Sequence, residues 1–554
     1  MVFLITIVYL LTATHGQDLP CAAQQIPGRS VICVCNATYC DTITRIPPPP
    51  GSFVTYTSSA RGLRFHKTIG RLSLIDLDPC PGPTYTVNPS VKYQTIEGFG
   101  SSVTDAASIM WSSMSKPLRK KFVDSYYGDN GLEYSMIRVP IGGTDFSTHT
   151  YAYNELPPYD IKLSNFSLAM EDYRYKLPCA IGGTDFSTHT YAYNELPPYD
   201  IKLSNFSLAM EDYRYKIPMI KAIMKGARQK VHIIASCWSP PRWMKTNNAF
   251  AGYSRLITDY YQTYADYHLK FLEHYTAEGI PIWGITTGNE PTDGMGALIR
   301  LNCLGWNADS MATWIINNLG PTIRNSSFKD IKILCADDQR PLLDYWVTLM
   351  FEDHPKVQEV VDGIAVHFYF DSVTPPSVLS RINAQYPDKF IMGTEATAMG
   401  DPNNAVNFGD WDRARLYISD IINDINNSLV GWIDWNMCLN KDGGPNWNGN
   451  NVDSTVIVLP ELGQFIKQPT FYAMGHISKF VPRGSRRIQV TSNEEGSSML
   501  TVAFLTPQNT VVVLLYNRLP SNANIVLGGK QASIVLEPDT ITTVELSGSS
   551  LTYD

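Results

Sequence analysis

Two glutamates, Glu290 and Glu395, each follow a short apolar run that is typical of a buried strand. Glu290 lies in the sequence TGNEP after residues 282–286, and Glu395 ends the sequence GTE after residues 389–394. Two carboxyl groups that face each other across a pocket can hydrolyse a glycosidic bond, because one protonates the departing oxygen while the other attacks the anomeric carbon. A separation of about 5–5.5 Å gives retention through a covalent intermediate. We therefore predict a catalytic carboxyl pair.

Further polar and aromatic residues stand at the ends of other apolar runs. Amide and carboxylate groups bind sugar hydroxyls, and aromatic faces suit the apolar face of a pyranose ring, although each Trp is equally typical of a core. An aromatic or imidazole group beside a carboxylate can orient it, although a lone histidine is more often a hydrogen-bonded wall residue. The predicted sugar-binding residues are Asp145, Trp238, Asn289, Trp435 and Asn450, with Trp447 as a further aromatic candidate, and the predicted orienting residues are His367 and Tyr369.

Eight apolar, β-branched runs alternate with longer amphipathic stretches from about residue 95, which is typical of repeated βα units around a parallel sheet. This number predicts an α/β fold with a closed (β/α)8 TIM barrel, whose active site lies where the strands end. The predicted strands cover residues 96–100, 135–140, 231–236, 282–286, 331–336, 363–368, 389–394 and 429–435.

After Phe480 the sequence pattern changes to short runs of alternating apolar and polar residues, separated by Gly, Asn and Pro. This pattern favours an antiparallel β-sandwich. Residues 46–92 are rich in Thr and Gly and are predicted to join the same sheet. The predicted domains are therefore a β-sandwich of residues 46–92 plus 482–554, built from both chain ends, and a catalytic barrel of residues 93–481.

The start of the chain reads as a secretory segment. Residues 1–16 contain a short apolar run followed by small and polar residues, which predicts a signal peptide. The next segment, 17–45, contains four cysteines that an oxidising compartment would pair in one of three ways, and a zinc knuckle is the alternative. These cysteines are Cys21, Cys33, Cys35 and Cys40. Asparagines in glycosylation sequons fit the same route, at Asn36, Asn165, Asn205, Asn325 and Asn426. Cys237, Cys335 and Cys438 lie in apolar runs and are predicted to be buried thiols.

Charge and hydropathy exclude several classes of function. The chain has 554 residues and a net charge of -8, so an electrostatic footprint for nucleic acid is not expected. No run after the first 16 residues reaches the ~18–20 apolar residues that cross a bilayer. Strand ends carry no obvious lysine, which disfavours a Schiff-base aldolase.

A 36-residue segment occurs twice, at residues 141–176 and 181–216, without a single difference. Stacked-repeat folds use three or more diverged units, so two identical copies indicate a recent duplication or a gene-model error instead. The first copy continues out of an apolar strand and the second runs into a helical pattern. We expect Asp145, in the first copy, to face the pocket while residues from about 150 to 190 bulge outward. The opposite register, with Asp185 in the pocket, is the alternative.

At these residues the chain resembles glycoside hydrolase family 30, and within it the acid β-glucosidases that cleave glucosylceramide. The matching motifs extend over nearly all of the predicted mature chain and occur in order. They include ICVCNATYCD (32–41), EGFGSSVTDAA (97–107), IRVP (137–140), ASCWSPPRWMKTN (235–247), NEP (289–291), DDQR (337–340), GIAVHFY (363–369), TEA (394–396) and QPTFYAMGHISKFVP (468–482).

The resemblance implies a retaining β-glucosidase that splits glucosylceramide into glucose and ceramide. It implies that Glu290 is the acid/base, that Glu395 is the nucleophile, and that Asp145, Trp238, Asn289, Trp435 and Asn450 hold the terminal glucose, with Arg138, His367 and Tyr369 in support. It also implies disulfides Cys21–Cys33 and Cys35–Cys40, a saposin-type activator, anionic lipid and a lysosomal location. No cofactor and no metal are expected. Two departures from the family stand out: the family has one copy of the duplicated segment, and the loop 292–306 has a sequence of its own.

Two other functions fit parts of the pattern. A non-catalytic glycosidase-like receptor or carrier would be expected to lack one carboxylate, and both are present here. A related retaining β-glycosidase that acts on another glycolipid or on a glucan would share all of these motifs, so only assays with substrates separate it from a glucosylceramidase.

Overall fold

The computed structural model describes residues 18–75, 81–153, 200–203, 206–296, 298–400, 404–494 and 498–547. Several predictions concern residues outside these ranges. They are the signal peptide, Asp185, the sequons at Asn165 and Asn205, and the outward bulge from residue 154 onward.

The described residues form the following strands: β1 (Ala23–Gln25), β2 (Val31–Asn36), β3 (Ser52–Ser59), β4 (His66–Arg71), β5 (Ser73–Leu74), β6 (Thr84–Thr95), β7 (Gly98–Ser102), β8 (Met136–Ile141), β9 (His232–Cys237), β10 (Gly284–Thr286), β11 (Lys332–Gln339), β12 (Gly363–His367), β13 (Phe390–Glu395), β14 (Leu429–Asn436), β15 (Val456–Leu459), β16 (Gln464–Lys467), β17 (Arg486–Ser492), β18 (Leu500–Leu505), β19 (Val511–Asn517), β20 (Ser521–Leu527), β21 (Lys530–Leu536) and β22 (Thr540–Leu546).

The α-helices of the same residues are α1 (Asp105–Ser113), α2 (Lys116–Tyr127), α3 (Ile217–Gly226), α4 (Tyr261–Ala277), α5 (Ala308–Trp314), α6 (Gly320–Arg324), α7 (Arg340–Glu352), α8 (Val357–Val360), α9 (Ser377–Gln385), α10 (Trp411–Asn426) and α11 (Pro469–Ser478). None of the described helices combines the length and the apolarity that a bilayer crossing requires.

Strands β7 to β14 close into a parallel barrel in the order in which they occur in the chain. Each overlaps one of the eight predicted runs, so the predicted TIM barrel is confirmed. All residues of β8 and β14 are buried, because helices cover the outer face and side chains fill the interior. This burial explains why the barrel strands read as continuous apolar runs.

The barrel helices bury one apolar stripe each. In α10 the buried positions recur three and four residues apart, as in Ala414, Tyr417, Ile418 and Ile421. The helix begins after Asp410, whose side chain accepts hydrogen bonds from the first free backbone amides. Helices of this kind pack against the barrel strands, and α10 contacts β14, the strand that follows it.

Both chain ends contribute to a ten-stranded sheet in the order β4-β3-β22-β19-β18-β17-β6-β20-β21-β5. Its central strands carry β-branched and aromatic residues whose inward faces form a separate hydrophobic core. This sheet is the β-sandwich predicted from the ends of the chain. It packs beside the barrel, and α11 contacts β3 and β22 of the sheet as well as β7 of the barrel.

The N-terminal segment contains the disulfides Cys21–Cys33 and Cys35–Cys40. The pairing implied by the family resemblance is thus present, and the zinc alternative is wrong because these thiols are used. Strand β2 pairs antiparallel with β16, and the two lie inside a four-stranded sheet of order β1-β2-β16-β15. The segment is therefore joined to the chain between β14 and α11.

Each copy of the duplicated segment contributes some of its residues to the described structure. Strand β8 runs into the first copy, which supplies Tyr151 and Tyr153, and the second copy supplies a π-helical turn, Asp212–Lys216, that continues directly into α3. The Tyr153 hydroxyl donates to Asp212 at 2.8 Å, and the buried Lys216 ammonium donates to the carbonyl of Gly142 at 3.2 Å. The described residues therefore form a composite of the two copies, in which the first copy supplies the start and the second copy supplies the end.

Candidate active site

Glu290 and Glu395 lie at the mouth of the barrel, after β10 and at the end of β13. An oxygen of each carboxyl group and a ring nitrogen of His367 all lie within 4.8 Å of one another. Glu290 has a backbone φ of 41°, in the left-handed region that a residue with a Cβ seldom adopts. Such strain is concentrated at functional sites, and here it turns the side chain into the mouth.

Glu395 is held by two donors. The Tyr369 hydroxyl donates to Oε1 at 2.7 Å, and the Arg138 guanidinium donates to Oε2. Burial, with the nearby Glu290 carboxylate, raises the pKa of Glu395 although the charges of His367 and Arg138 oppose the shift. Both oxygens are therefore fixed in direction, and the carboxylate is less solvated than an ordinary glutamate.

Glu290 has a different environment. Its Oε1 accepts a hydrogen bond from Gln339 Nε2 at 2.7 Å and lies 3.0 Å from His367 Nδ1. Burial favours the neutral acid, but the hydrogen bond and charge of His367 outweigh it and lower the pKa of Glu290. The two carboxyl groups thus differ in their surroundings, which is how one pair performs two chemical roles.

Asp337 joins these parts and is not among the residues predicted from the sequence. Its fully buried carboxylate accepts from Arg138 at 2.9 Å and from Thr394 Oγ1 at 2.7 Å, and it lies 3.0 Å from His367 Nε2. Burial opposes the ionised form, yet the charge of Arg138 and the bond from His367 hold the pKa of Asp337 far below its usual range.

His367 therefore bridges Asp337 and Glu290. Burial disfavours its charged form, but the carboxylates of Glu395, Asp337 and Glu290 together raise the pKa of His367 to about 10. Arg138 and His367 supply two positive charges beneath the pair of glutamates. The predicted orienting role of His367 and Tyr369 agrees with these contacts.

The predicted sugar-binding residues gather on the other side of the mouth. Asp145 is buried, and its Oδ2 accepts from Asn450 Nδ2 at 3.0 Å and from Asn446 Nδ2 at 3.2 Å. Burial raises the pKa of Asp145 to about 7, against the effect of these amides. Trp447 donates its backbone amide to the carbonyl of Asp145 at 3.0 Å. Asn446 and Trp447 thus fix the loop that carries Asn450.

The aromatic residues Trp238 and Trp435 stack on each other, with ring centroids 5.1 Å apart and 21° between the planes. The guanidinium of Arg138 lies 4.7 Å from the Trp238 ring and donates to Asn289 Oδ1 at 2.7 Å. Both rings are almost fully buried and belong to a hydrophobic core cluster. The structure brings all the predicted site residues to one end of the barrel.

The free thiols of the described residues are buried and make no hydrogen bond to Glu290 or Glu395. Cys237, Cys303, Cys335 and Cys438 are free and buried, which confirms the predicted buried thiols and adds Cys303 to them. Burial raises the pKa of Cys335 and of Cys237 to about 12. A thiol of this kind is a weak nucleophile.

A second buried charge cluster lies behind the loop that carries Tyr369. The guanidinium of Arg340 binds Asp371 and Asp424 and lies 3.4 Å from Asp420. Three carboxylates share one positive charge, and the guanidinium occupies the centre where a metal ion would sit. Burial, with the charges of the other two carboxylates, raises the pKa of Asp371. The cluster therefore binds protons that the unfolded chain would release.

This cluster predicts that stability falls as pH rises. An aspartate with a raised folded-state pKa stabilises the fold below its unfolded pKa of about 3.9, and this contribution is lost between that value and the folded pKa at about 1.4 kcal/mol per pH unit. We expect the thermal unfolding temperature to drop by several degrees between pH 5 and pH 7.5, and Asp371→Asn to reduce this drop. Asp362→Asn, which removes a partner of Arg324 and Lys332 at the opposite barrel end, is the control. An unfolding temperature that rises over this range would contradict the prediction.

An eight-stranded parallel barrel with two carboxyl groups facing each other at the C-terminal ends of its strands defines the barrel glycoside hydrolases. Sequence profiles agree with this class. The TIM-barrel domain of glycosyl hydrolase family 30 matches residues 96–182 and 179–481, and the beta sandwich domain of the same family matches residues 484–544. The chain belongs to glycosyl hydrolase family 30 and is a glycosidase.

Individual relatives cover most of the chain. The chain is 35% identical to lysosomal acid glucosylceramidase of Mus musculus over 507 residues, which is 90% of this chain and 89% of the relative. It is 37% identical to putative glucosylceramidase 3 of Caenorhabditis elegans over 83% of this chain and 81% of that protein. The crystal structure of SrfJ from Salmonella typhimurium has the same fold, with a TM-score of 0.75 and 22% identity over 90% of this chain and 99% of SrfJ.

Proposed function

We propose that this protein hydrolyses the β-glucosyl bond of glucosylceramide to glucose and ceramide, with retention of configuration. The observation that carries the proposal is the pair Glu290 and Glu395, whose carboxylate oxygens approach within 4.8 Å across the barrel mouth. This spacing supports direct attack by one carboxyl group, since an inverting enzyme separates the two by about 6.5–9.5 Å to admit water.

In the first step Glu395 attacks the anomeric carbon while Glu290 protonates the departing ceramide oxygen. The bonds from Tyr369 and Arg138 aim Glu395, and Arg138 also holds Asn289 beside it. In the second step Glu290 removes a proton from water, which attacks the glucosyl ester and frees Glu395. The His367 and Arg138 charges stabilise the ionised form that each glutamate takes in turn.

The terminal glucose is proposed to lie between the two halves of the mouth. Asp145 would accept hydrogen bonds from its hydroxyl groups, and Asn450 would donate hydrogen bonds to them. Asn289 would bind the hydroxyl next to the anomeric carbon. Trp238 and Trp435 would provide the wall against the ring. Loss of the buried Asp145 carboxyl group would leave sugar hydroxyls without partners in the pocket, at a cost of about 1–3 kcal/mol for each.

The lipid half of the substrate is supported by the apolar rim of the mouth. Loops that follow barrel strands expose large apolar side chains there: Leu298 is 90% exposed, and Phe370, Val373 and Met399 are each more than half exposed. Side chains of this kind suit contact with a lipid surface. The similarity to proteins named glucosylceramidases, over four-fifths or more of the chain, supports the same substrate.

A saposin-type activator, anionic lipid and a lysosomal site of action complete the proposal. The mouse relative is named a lysosomal enzyme. The buried aspartates with raised pKa values support an acidic compartment, because they favour the folded state at low pH. The predicted signal peptide and sequons fit delivery through the secretory route.

The proposal is tested by incubating the purified protein at pH 5 with glucosylceramide in phosphatidylserine vesicles. Galactosylceramide in matched vesicles, and a soluble β-glucan, are the competing substrates. We expect release of glucose from glucosylceramide, with the β-anomer as the first product by NMR. Faster cleavage of the galactolipid or of the glucan would assign the enzyme to another substrate.

The rim residues give a further prediction. Leu298→Asp is expected to lower kcat/KM on glucosylceramide in anionic vesicles by about tenfold, because burial of a leucine side chain contributes about 1.5–3 kcal/mol and the new carboxylate is repelled. The kcat/KM of the same variant for a soluble aryl β-glucoside should change by less than about twofold. Leu519→Asp, at a 65% exposed leucine in the β-sandwich, is the control. Equal losses on both substrates would contradict a lipid-binding rim.

A further inference from the structure

Asp293 lies three residues after Glu290, at the start of the 3-10 turn Asp293–Met295. Its backbone amide donates to the carbonyl of Glu290 at 2.9 Å, and the two side-chain carboxyl groups are hydrogen-bonded to each other. A hydrogen bond between two carboxyl groups requires one proton, because an ionised carboxylate can only accept. The pair therefore holds one proton and one negative charge.

The surroundings decide which group carries the proton. Oε1 of Glu290 accepts from Gln339 at 2.7 Å and lies 3.0 Å from His367 Nδ1, and both contacts favour an ionised Glu290. Asp293 is half-buried, and the charge of His367 lowers its pKa by less than burial and the Glu290 carboxylate raise it. Burial, followed by the charge of Glu290, raises the pKa of Asp293, whereas the pKa of Glu290 is lowered. This asymmetry favours Asp293 as the protonated partner.

An ionised Glu290 could not act as a general acid without a source of protons. We propose that Asp293 stores the proton that Glu290 delivers to the departing glycosidic oxygen, and takes back the proton that Glu290 removes from water. The inference rests on the proposed function, in which Glu290 is the acid/base. Asp293 acts through Glu290 and is therefore a positioning residue for the proton.

The charges balance through the first step. Before it, Glu395 carries one negative charge and the Glu290–Asp293 pair carries another. As the carbon–oxygen bond to the aglycone breaks, the proton moves from Asp293 to Glu290 and from Glu290 to the leaving oxygen, and Glu395 becomes a neutral ester. Both charges then lie on Glu290 and Asp293, so the total charge of the three carboxyl groups does not change.

Other titratable and charged groups face the pair from every neighbouring strand end. Positive groups are needed to tolerate the doubly ionised pair, and His367 and Arg138 supply them. The remaining groups are Asp337, Asp338, Glu395, Asp145, Tyr369 and Cys303. Of these, Asp338 is the close carboxylate that lacks the bond to Glu290, because its Oδ2 accepts from Thr292 N at 3.1 Å and from Thr292 Oγ1 at 2.8 Å.

The test is the pH profile of kcat/KM for Asp293→Asn, measured between pH 3.5 and 8. The asparagine amide can still donate to Glu290, but it holds no transferable proton. In Asp293→Asn, Glu290 titrates alone and loses its proton at a lower pH than the Glu290–Asp293 pair of the wild type does. The alkaline limb of the variant should therefore lie at lower pH by about one unit or more. This shift is expected with phenyl β-glucoside, whose leaving group needs protonation, and should be small with 2,4-dinitrophenyl β-glucoside.

Asp338→Asn is the matched control, because it removes a nearby charge without breaking a carboxyl–carboxyl bond. An unchanged alkaline limb in Asp293→Asn, or equal shifts in the two variants, would overturn the stored proton. Retention of the wild-type limb by Asp293→Glu would support it, since a purely structural role of Asp293 would not depend on a titrating group.

A second measurement reads the proton without turnover. The infrared difference spectrum of wild type minus Asp293→Asn at pH 6.5 should contain the carbonyl band of one protonated carboxyl group, and a spectrum without this band would overturn the inference. If the band is present while the wild type hydrolyses no β-glucoside, the shared proton stands and the proposed function fails. The two failures are thus distinguished.

Discussion

Glu395→Gln is expected to abolish turnover of every β-glucoside, with a loss of about 10⁴-fold or more in kcat. No covalent intermediate can form without the nucleophilic oxygen, so a better leaving group cannot compensate. The amide keeps the size of the side chain, and Arg138 and Tyr369 remain in place to contact it. The measurement is single-turnover kinetics with phenyl and 2,4-dinitrophenyl β-glucosides.

Glu290→Gln is the matched variant and should behave differently. Loss of the general acid costs about 10²–10⁴-fold with a poor leaving group and little with an activated one. With 2,4-dinitrophenyl β-glucoside this variant should form the glucosyl-enzyme and hydrolyse it slowly, and azide should accelerate turnover to a β-glucosyl azide. A β-configured azide product from Glu395→Gln would reverse the two assignments.

Asp145→Ala should lower kcat/KM for soluble aryl glucosides by about 10²–10³-fold, because it leaves buried hydrogen-bonding groups of the sugar without a partner, at a cost of about 1–3 kcal/mol each. Asp185→Ala, in the identical context of the second copy, should change kcat/KM by less than about twofold on this account. Equal effects of the two substitutions would show that this account of the repeat is wrong, and a larger effect of Asp185→Ala would assign the site to the second copy. The wild-type kinetics with the same aryl glucoside give the reference.

A single-copy chain extends this prediction. Because the two 36-residue copies are identical, removal of residues 141–180 or of any 40 residues starting between 141 and 177 yields the same sequence. That sequence preserves the contacts of Tyr153 with Asp212 and of Lys216 with Gly142. Activity should therefore be retained or improved, and loss of activity in the deletion would contradict the composite copy.

The two facing glutamates and the barrel are predictable from the sequence for a local reason. Parallel strands that are buried on both faces give continuous apolar runs, and the first polar residues after them point into the mouth. Glu290, Glu395 and Tyr369 come after predicted runs, and His367 lies near the end of one. The sugar side follows in part, since Asp145 lies soon after β8.

Asp337 also directly follows a predicted run, residues 331–336, but the sequence does not show which of Asp337 and Asp338 turns into the barrel. The pairing of β11 with β12 shifts register between Ala336 and Asp338, and Ala336 and Asp337 have φ values of 70° and 57°. This bulge turns the Asp337 carboxylate into the barrel beneath the pocket. A register shift of this kind depends on packing with the neighbouring strand, so the order of residue types does not reveal it.

Two other features depend on contacts between distant parts of the chain. Strand β2 pairs with β16, more than four hundred residues later, and nothing in either strand specifies that partner. Asp293 looks like an ordinary turn residue in the sequence TDGM, and its bond to Glu290 depends on the tight turn between them. Sequence patterns report local periodicity and burial, whereas such pairings are decided by tertiary packing.

The central claim is that Glu395 forms a covalent bond to the sugar. It is tested most directly with a β-glucoside that carries fluorine at C2 and a good leaving group, because the fluorine slows both steps and the leaving group restores only the first. We expect the protein to be inactivated with one glucosyl equivalent bound, and mass spectrometry to place it on Glu395, within the tryptic peptide of residues 390–413. Attachment to Glu290 or to any other residue, or turnover without a covalent adduct, would contradict the account.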